Sequence, residues 1–142
     1  MEFKQFIKDA DRRDVKETLK KLPTGHRKLV DGYKIEFQPG NCLKGDHGHV
    51  GEIDEKAKKI TIAAPWNYSR DFTLLHEVGH LVWKYKLSRD EQSNWVKLLK
   101  KFKHPHEKNA EEAFCMAYAN HYAKNDVDVH SHEKWDGFVS KI

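Results

Sequence analysis

Apolar residues recur along the chain in two rhythms, and the changes between them set the predicted elements. In residues 2–22, Phe3, Phe6 and Ile7, then Val15, Leu19 and Leu22, fall at the spacing that lines one face of a helix. One or two short amphipathic helices are expected there, ended by "PTG" at 23–25. The run "RKLVDGYKIEF" (27–37) sets Asp31-Gly32 between two apolar stretches, which predicts a type I′ hairpin. A Gly/Pro/His-rich loop, "QPGNCLKGDHG" (38–48), follows. Then "HVGEID" (49–54) and "KKITIAA" (58–64) read as two short strands around the charged connection "EKA".

Helical spacing returns in "SRDFTLLHEVGHLVWKYKL" (69–87), where Leu74, Val78, Leu81, Val82 and Tyr85 form a core-facing stripe. Ser88 and Glu91 make a capping box that opens a second helix at about residue 89. Its apolar stripe is Trp95, Leu98, Leu99 and Phe102, and "HPH" ends it, because Pro105 disfavours helix at the residue before it. A third helix is expected from near Asn109 to about Lys124. In the polar tail "NDVDVHSHEKWDGFVSKI", Trp135, Phe138 and Val139 are expected to dock a short last helix. Helices, then a small antiparallel or mixed sheet, then helices make an α+β chain.

Composition narrows the class. A chain of 142 residues is most simply one domain, 1–142, with a helical N-terminal segment over 1–25. Hydrophobic residues make up 38% and charged residues 34%, a solvated globular balance. No apolar run has the length a bilayer requires. "MEFKQFIKDADRRD" lacks the apolar core of a secretory signal, so the cytoplasm is the default compartment. Two cysteines, Cys42 and Cys115, do not suggest a disulfide framework. The net charge of +4 is modest, and Lys97, Lys100, Lys101 and Lys103 share one face of the second helix. Such a face can meet nucleic acid, but it is usually only a solvated surface. No membrane partner is expected, and a monomer is.

The most hydrophobic helical segment also carries the chemistry. Within "DFTLLHEVGHLVW" (71–83), His76 and His80 lie one turn apart on one face. Both imidazoles can therefore aim a nitrogen at one point, at the roughly 2.0–2.1 Å that zinc demands. Glu77 is rotated about a quarter turn from His76, so its carboxylate misses the ion and reaches a water beside it. Two neutral donors to hold a metal and an adjacent base to take a proton is the logic of the H-E-x-x-H pattern. With ten histidines and eleven glutamates, chance supplies such a match about 0.05 times per chain. Gly79 adds to the signal, because a mid-helix glycine costs about 1 kcal/mol against alanine and implies a close neighbour.

A catalytic zinc takes a third protein ligand and keeps one position open. The helix "NAEEAFCMAYANHYAK" (109–124) offers Glu111, Glu112 and His121. The glutamates also suit a plain structural role, since Asn109 with Glu112 is an N-capping pattern and acids favour a first turn. Ala110, Ala113, Phe114 and Ala117 make this helix small-sided, which would let it lie close to the His76 helix. Pattern alone leaves the third ligand among these three residues, with the glutamates ahead.

The segments "HVGEID", "KKITIAA", "TLLHEVGH" and "EAFCMAY", spread over about residues 49–124, resemble the gluzincin peptidases, most of all the anthrax lethal factor-like catalytic domain. A similar helix pair occurs in the regulator-cleaving metallopeptidases of phage and mobile elements. The resemblance implies a zincin-like fold, with the small sheet packed on an active-site helix and a C-terminal helix carrying the third ligand. It makes His76, His80 and Glu112 the ligands of one catalytic Zn2+, with Glu77 the general base. Glu111 then stands behind the ligands. Val50, Gly51 and Glu52 belong to the edge strand that would take an extended protein or peptide substrate by backbone pairing.

The chain departs from that pattern in two places. The family's tyrosine, seven residues before the third ligand, is replaced by Pro105, flanked by His104 and His106. Either histidine could supply the missing donor, and His106 is taken as the candidate. Without a donor, catalysis would fall by about 10²–10³. Met116 stands where the family often has an acid. The expected activity is zinc-dependent peptide hydrolysis. The alternatives are a zinc-holding interaction or inhibitory module that does not cleave, or a protease or regulator associated with nucleic acid. Three His-x-His pairs (47/49, 104/106, 130/132) are read as surface. Cys42 invites a role capping the zinc in a latent form, although a small packed cysteine is the ordinary account of it, and Cys115 is read as packed.

Overall fold

In the computed structural model, which describes residues 15–37, 51–63, 70–106, 108–123 and 133–142, the chain is α+β. Residues 15–20 are helical (α1), with Thr18 buried, Val15 and Leu19 half-buried and Leu22 buried just beyond. Phe3, Phe6, Ile7 and the 38–48 loop lie outside the described residues.

The expected hairpin at Asp31-Gly32 does not form. Pro23, with φ −55°, leads into a single helical turn, α2 (Thr24–Arg27), and a 3-10 turn over Lys28–Val30 continues it. The Pro23 carbonyl accepts from the amides of both His26 and Arg27 at 3.0 Å. The segment before Asp31 therefore satisfies its backbone locally and has none left to pair as a strand. The glycine still marks a turn. Asp31 has φ −60° and ψ 131°, Gly32 has φ +82°, and the Tyr33 amide donates to the Val30 carbonyl at 3.0 Å. That is a type II turn, whose third residue must take a positive φ, and it delivers the chain into β1 (Lys34–Phe37).

The other two strands form where expected, β2 at Gly51–Asp54 and β3 at Lys59–Ile62. They pair antiparallel with Gly51 opposite Ile62, and the Asp54 carboxylate accepts the Ala57 amide to hold the turn between them. β1 lies parallel to β3 on its other side, so the sheet is mixed, in the order β1-β3-β2. Central β3 buries Ile60, Thr61 and Ile62, whereas β2 is an edge and exposes Glu52.

The chain divides into two compact units, Met1–Leu74 and Leu75–Ile142. The sheet belongs to the first. The boundary falls inside α3 (Arg70–Tyr85), and the second unit continues with α4 (Arg89–Lys101), α5 (Ala110–Ala123) and α6 (Glu133–Ser140). Leu74, Val78, Leu81 and Val82 of α3 are buried as the spacing predicts. Tyr85 is not: it is 55% exposed at the last turn, with the Lys84 ammonium 5.3 Å from its ring centroid.

The capping box of α4 is present in full, with the Ser88 hydroxyl accepting the Glu91 amide and the Glu91 carboxylate accepting the Ser88 amide. Its C-terminus ends before Pro105 can act. Lys103 adopts φ +52°, the His104 amide donates to the Leu99 carbonyl, and the Lys103 amide donates to that of Lys100. This pair of bonds is a Schellman closure, with proline following in its usual place.

Trp95 is the hub of the second unit. Fully buried on α4, it donates its indole N–H to the Ala110 carbonyl at 2.8 Å, fixing where α5 begins. Its ring meets Phe114 of α5 at 5.8 Å, and Phe138 and Trp135 of α6 at 4.9 and 5.8 Å. Trp135 and Val139 dock α6 as expected. Among the described residues no helix is long and apolar enough to cross a membrane.

Trp95→Ala should therefore cost about 3–5 kcal/mol of stability in urea unfolding. Trp95→Phe, which keeps most of the packing and loses the indole hydrogen bond, should cost about 1–3 kcal/mol. Equal costs for the two variants would show that the ring contacts contribute little.

Candidate metal centre

A helix places His76, Gly79 and His80 along one face, and α5 crosses that face closely because Gly79 has no side chain. A Cβ built on Gly79 would stand 3.1 Å from the Cys115 Cα and 3.4 Å from its sulfur. The obstacle is backbone, so a larger residue at 79 would force the helices apart. This approach brings the first turn of α5 to the two histidines. Asn109 supports that turn, its side-chain oxygen accepting the Glu112 amide at 3.1 Å.

Both glutamates of the first turn engage, in different ways. Glu111 Oε2 lies 2.6 Å from His80 Nδ1. An ionised carboxylate only accepts, so Nδ1 carries the proton and a neutral His80 keeps its lone pair on Nε2. Glu112 faces the other nitrogens: Oε1 lies 2.9 Å from His76 Nε2, and Oε2 lies 3.7 Å from His80 Nε2. The two imidazoles meet edge to face with centroids 5.3 Å apart. Ligands at zinc bond lengths around a tetrahedral ion are about 3.3 Å from one another. The two Glu112 distances fall on either side of that value.

Charge is concentrated here in partly buried surroundings. Burial alone would lower the His76 pKa, yet the hydrogen bond and charge of Glu112, with the charge of Glu77, outweigh it and hold His76 above its ordinary 6.5. The His76 hydrogen bond, opposed in part by burial and aided by the charges of His76, His80 and His106, holds Glu112 below its ordinary 4.5. Glu77 is buried at 7% exposed. Burial, then the charges of Glu112, Glu111 and Glu77, pushes the Cys115 thiol well above its ordinary range.

The structure thus brings together His76, His80 and Glu112, with Glu111 behind His80 and Glu77 beside His76. His106 is near enough for its charge to act on Glu112. His104 is committed elsewhere, buried against Trp135 at 5.0 Å with Nδ1 accepting the His106 amide. His121 is not part of the cluster; its Nδ1 lies 3.4 Å from Asp136 of α6. Val50 and Cys42 lie outside the described residues, and Gly51 and Glu52 stand on β2 in the first unit.

Cys115 is the residue that sequence reasoning placed only in the core. It is buried and free, and its sulfur and one nitrogen each of His76 and His80 all lie within 4.8 Å of one another. Its position three residues after Glu112, on the same helix face, was the available signal. No family model matches the chain, and no curated protein or solved structure matches it either.

Gly79→Ala should destabilise the protein by about 1–3 kcal/mol despite the better helix propensity of alanine, because the added carbon meets the α5 backbone. Stability without metal should also follow the His76–Glu112 pair. His76, raised, contributes below pH 6.5 and loses that contribution as pH rises through its folded value. Glu112, lowered, contributes above pH 4.5 and loses it as pH falls through its folded value. Thermal unfolding in chelator should thus weaken on both sides of the pH 4.5–6.5 interval, and Glu112→Gln should flatten the alkaline arm. An unchanged arm in that variant would assign the dependence to other groups.

Proposed function

We propose that this chain is a zinc-dependent metallopeptidase of gluzincin type with a zincin-like fold, akin to the lethal factor-like catalytic domains. Support comes chiefly from one contact. Glu111 accepts a hydrogen bond from the Nδ1–H of His80, which leaves the lone pair on Nε2, the nitrogen that faces the Glu112 carboxylate beside His76 Nε2. Two imidazole nitrogens and a carboxylate oxygen are the donors a catalytic zinc takes. Zinc held there would supply Lewis acidity, acidifying water and polarising a peptide carbonyl.

In this proposal His76, His80 and Glu112 hold the ion. Glu77 does the proton work: its buried carboxylate takes a proton from the attacking water and delivers it to the leaving amine. His106 donates a hydrogen bond to the oxygen that gains charge; its charge already acts on Glu112, whereas His104 is buried against Trp135. The substrate class is protein or peptide.

A second reading, a zinc-holding module that does not cleave, is favoured by Pro105 in place of the family's tyrosine. Incubation with a mixed peptide library, followed by mass spectrometry of the products, separates the two. Cleavage that is lost in Glu77→Gln while zinc stays bound supports the peptidase; cleavage that survives in that variant refutes the assigned base. Metal analysis of protein purified without added zinc should find about one equivalent per chain. Glu112→Ala should lower that content sharply and Glu111→Ala much less. The reverse order would move the third ligand by one residue.

A further inference from the structure

We propose that the Cys115 thiolate is a fourth protein donor at this centre, completing with His76, His80 and Glu112 a closed set for a thiophilic divalent cation. The inference rests on the site being a metal centre and adds what fills the remaining position in the resting protein. Cys115 is not an isolated thiol: its sulfur shares a 4.8 Å cluster with both imidazoles. In a tetrahedral site with mixed nitrogen and sulfur ligands the corresponding distances are about 3.3–3.7 Å. Drawing the sulfur and the two imidazole nitrogens around an ion therefore needs movements of about 1 Å, and Glu112 reaches the same histidines at 2.9 and 3.7 Å.

The backbone geometry favours that movement. With no side chain at Gly79, nothing stands between α3 and the Cys115 Cα and sulfur. On α5, Cys115 follows Glu112 by three residues, so carboxylate and sulfur project from one face toward the same pair of histidines. The thiol is not spent in a disulfide. As the metal–sulfur bond forms, the S–H bond breaks and its proton passes to solvent, a step that metal coordination itself drives.

Two consequences follow. Four protein donors close the sphere in the manner of a structural site, so water or substrate enters only when Cys115 leaves. Sulfur also biases the centre toward zinc, cobalt or cadmium over magnesium or manganese.

The test is to load the full chain with cobalt(II) and record its absorption. The expected spectrum has tetrahedral d–d bands together with a near-ultraviolet sulfur-to-cobalt charge-transfer band. In Cys115→Ser the d–d bands should persist and the charge-transfer band vanish. Zinc affinity in that variant should fall at least 10–100-fold, since loss of a mere outer-shell partner already costs that much. Alkylation of wild-type Cys115, mapped by peptide mass to separate it from Cys42, should be slowed by zinc and not by magnesium. If the serine variant does not fold, Cys115→Ala and the wild-type spectrum decide. Cobalt bound without a charge-transfer band overturns the cysteine ligand and leaves the metal centre standing. Failure to bind cobalt or zinc at all overturns both.

Discussion

The candidate centre depends on two helices meeting where one of them has no side chain. Gly79 lets the α5 backbone come to contact distance at Cys115, and that contact sets how far the first turn of α5 stands from His76 and His80. Carboxylate side chains are short, so a separation wider by even an ångström or two would leave Glu112 unable to face both histidines. The glycine weakens α3 as an isolated helix by about 1 kcal/mol. Tertiary packing offsets this: Trp95 anchors the start of α5 from the far side, through both its hydrogen bond and its ring contacts.

That proximity places five ionisable or polarisable groups, His76, Glu77, His80, Glu111 and Glu112, in partly buried surroundings. Such groups are costly to bury unless each has a partner or a cation to face. The pairing is graded. Glu111 fixes a tautomer, Glu112 meets His76 Nε2, and Glu77 is buried close enough for its charge to act on His76. His76 and Glu112 each favour the other's charged form, and a divalent ion would take over that role by attracting both carboxylate and imidazole lone pairs. Burial and the neighbouring carboxylates hold the Cys115 thiol above its ordinary range, which favours its neutral form.

Much of the fold was legible because its signals are local. The Ser88/Glu91 box, the Asn109 cap, strands β2 and β3, the buried face of α3, and Trp95 and Leu99 of α4 all follow from spacing and cap chemistry within a few residues, whereas Phe102 of the expected α4 stripe is 37% exposed. The hairpin expectation failed for an equally local reason that the Asp-Gly signal obscured. Pro23 starts a helical turn whose backbone bonds consume the would-be first strand, and Gly32 serves a type II turn instead. Tyr85 fits the helical period and yet faces solvent, because periodicity says which side a residue takes and not where the core stops.

On α3 the sequence alone determined the arrangement: a 3.6-residue period is a property of the backbone, so His76 and His80 must share a face with Glu77 turned from it. Across helices no such rule operates. Glu111 and Glu112 are neighbours on one turn, and His121 lies further along the same helix, so composition and spacing leave all three eligible. The rotation of α5 about its own axis and its distance from α3 depend on Gly79, Cys115 and Trp95, residues brought together only by packing. Tertiary structure decided that Glu112 faces the inward nitrogens, that Glu111 stands behind His80, that His121 turns to Asp136, and that Cys115 joins the cluster. A difference of one residue on a helix is a rotation of about 100°, and only the packed neighbour fixes which rotation meets the histidines.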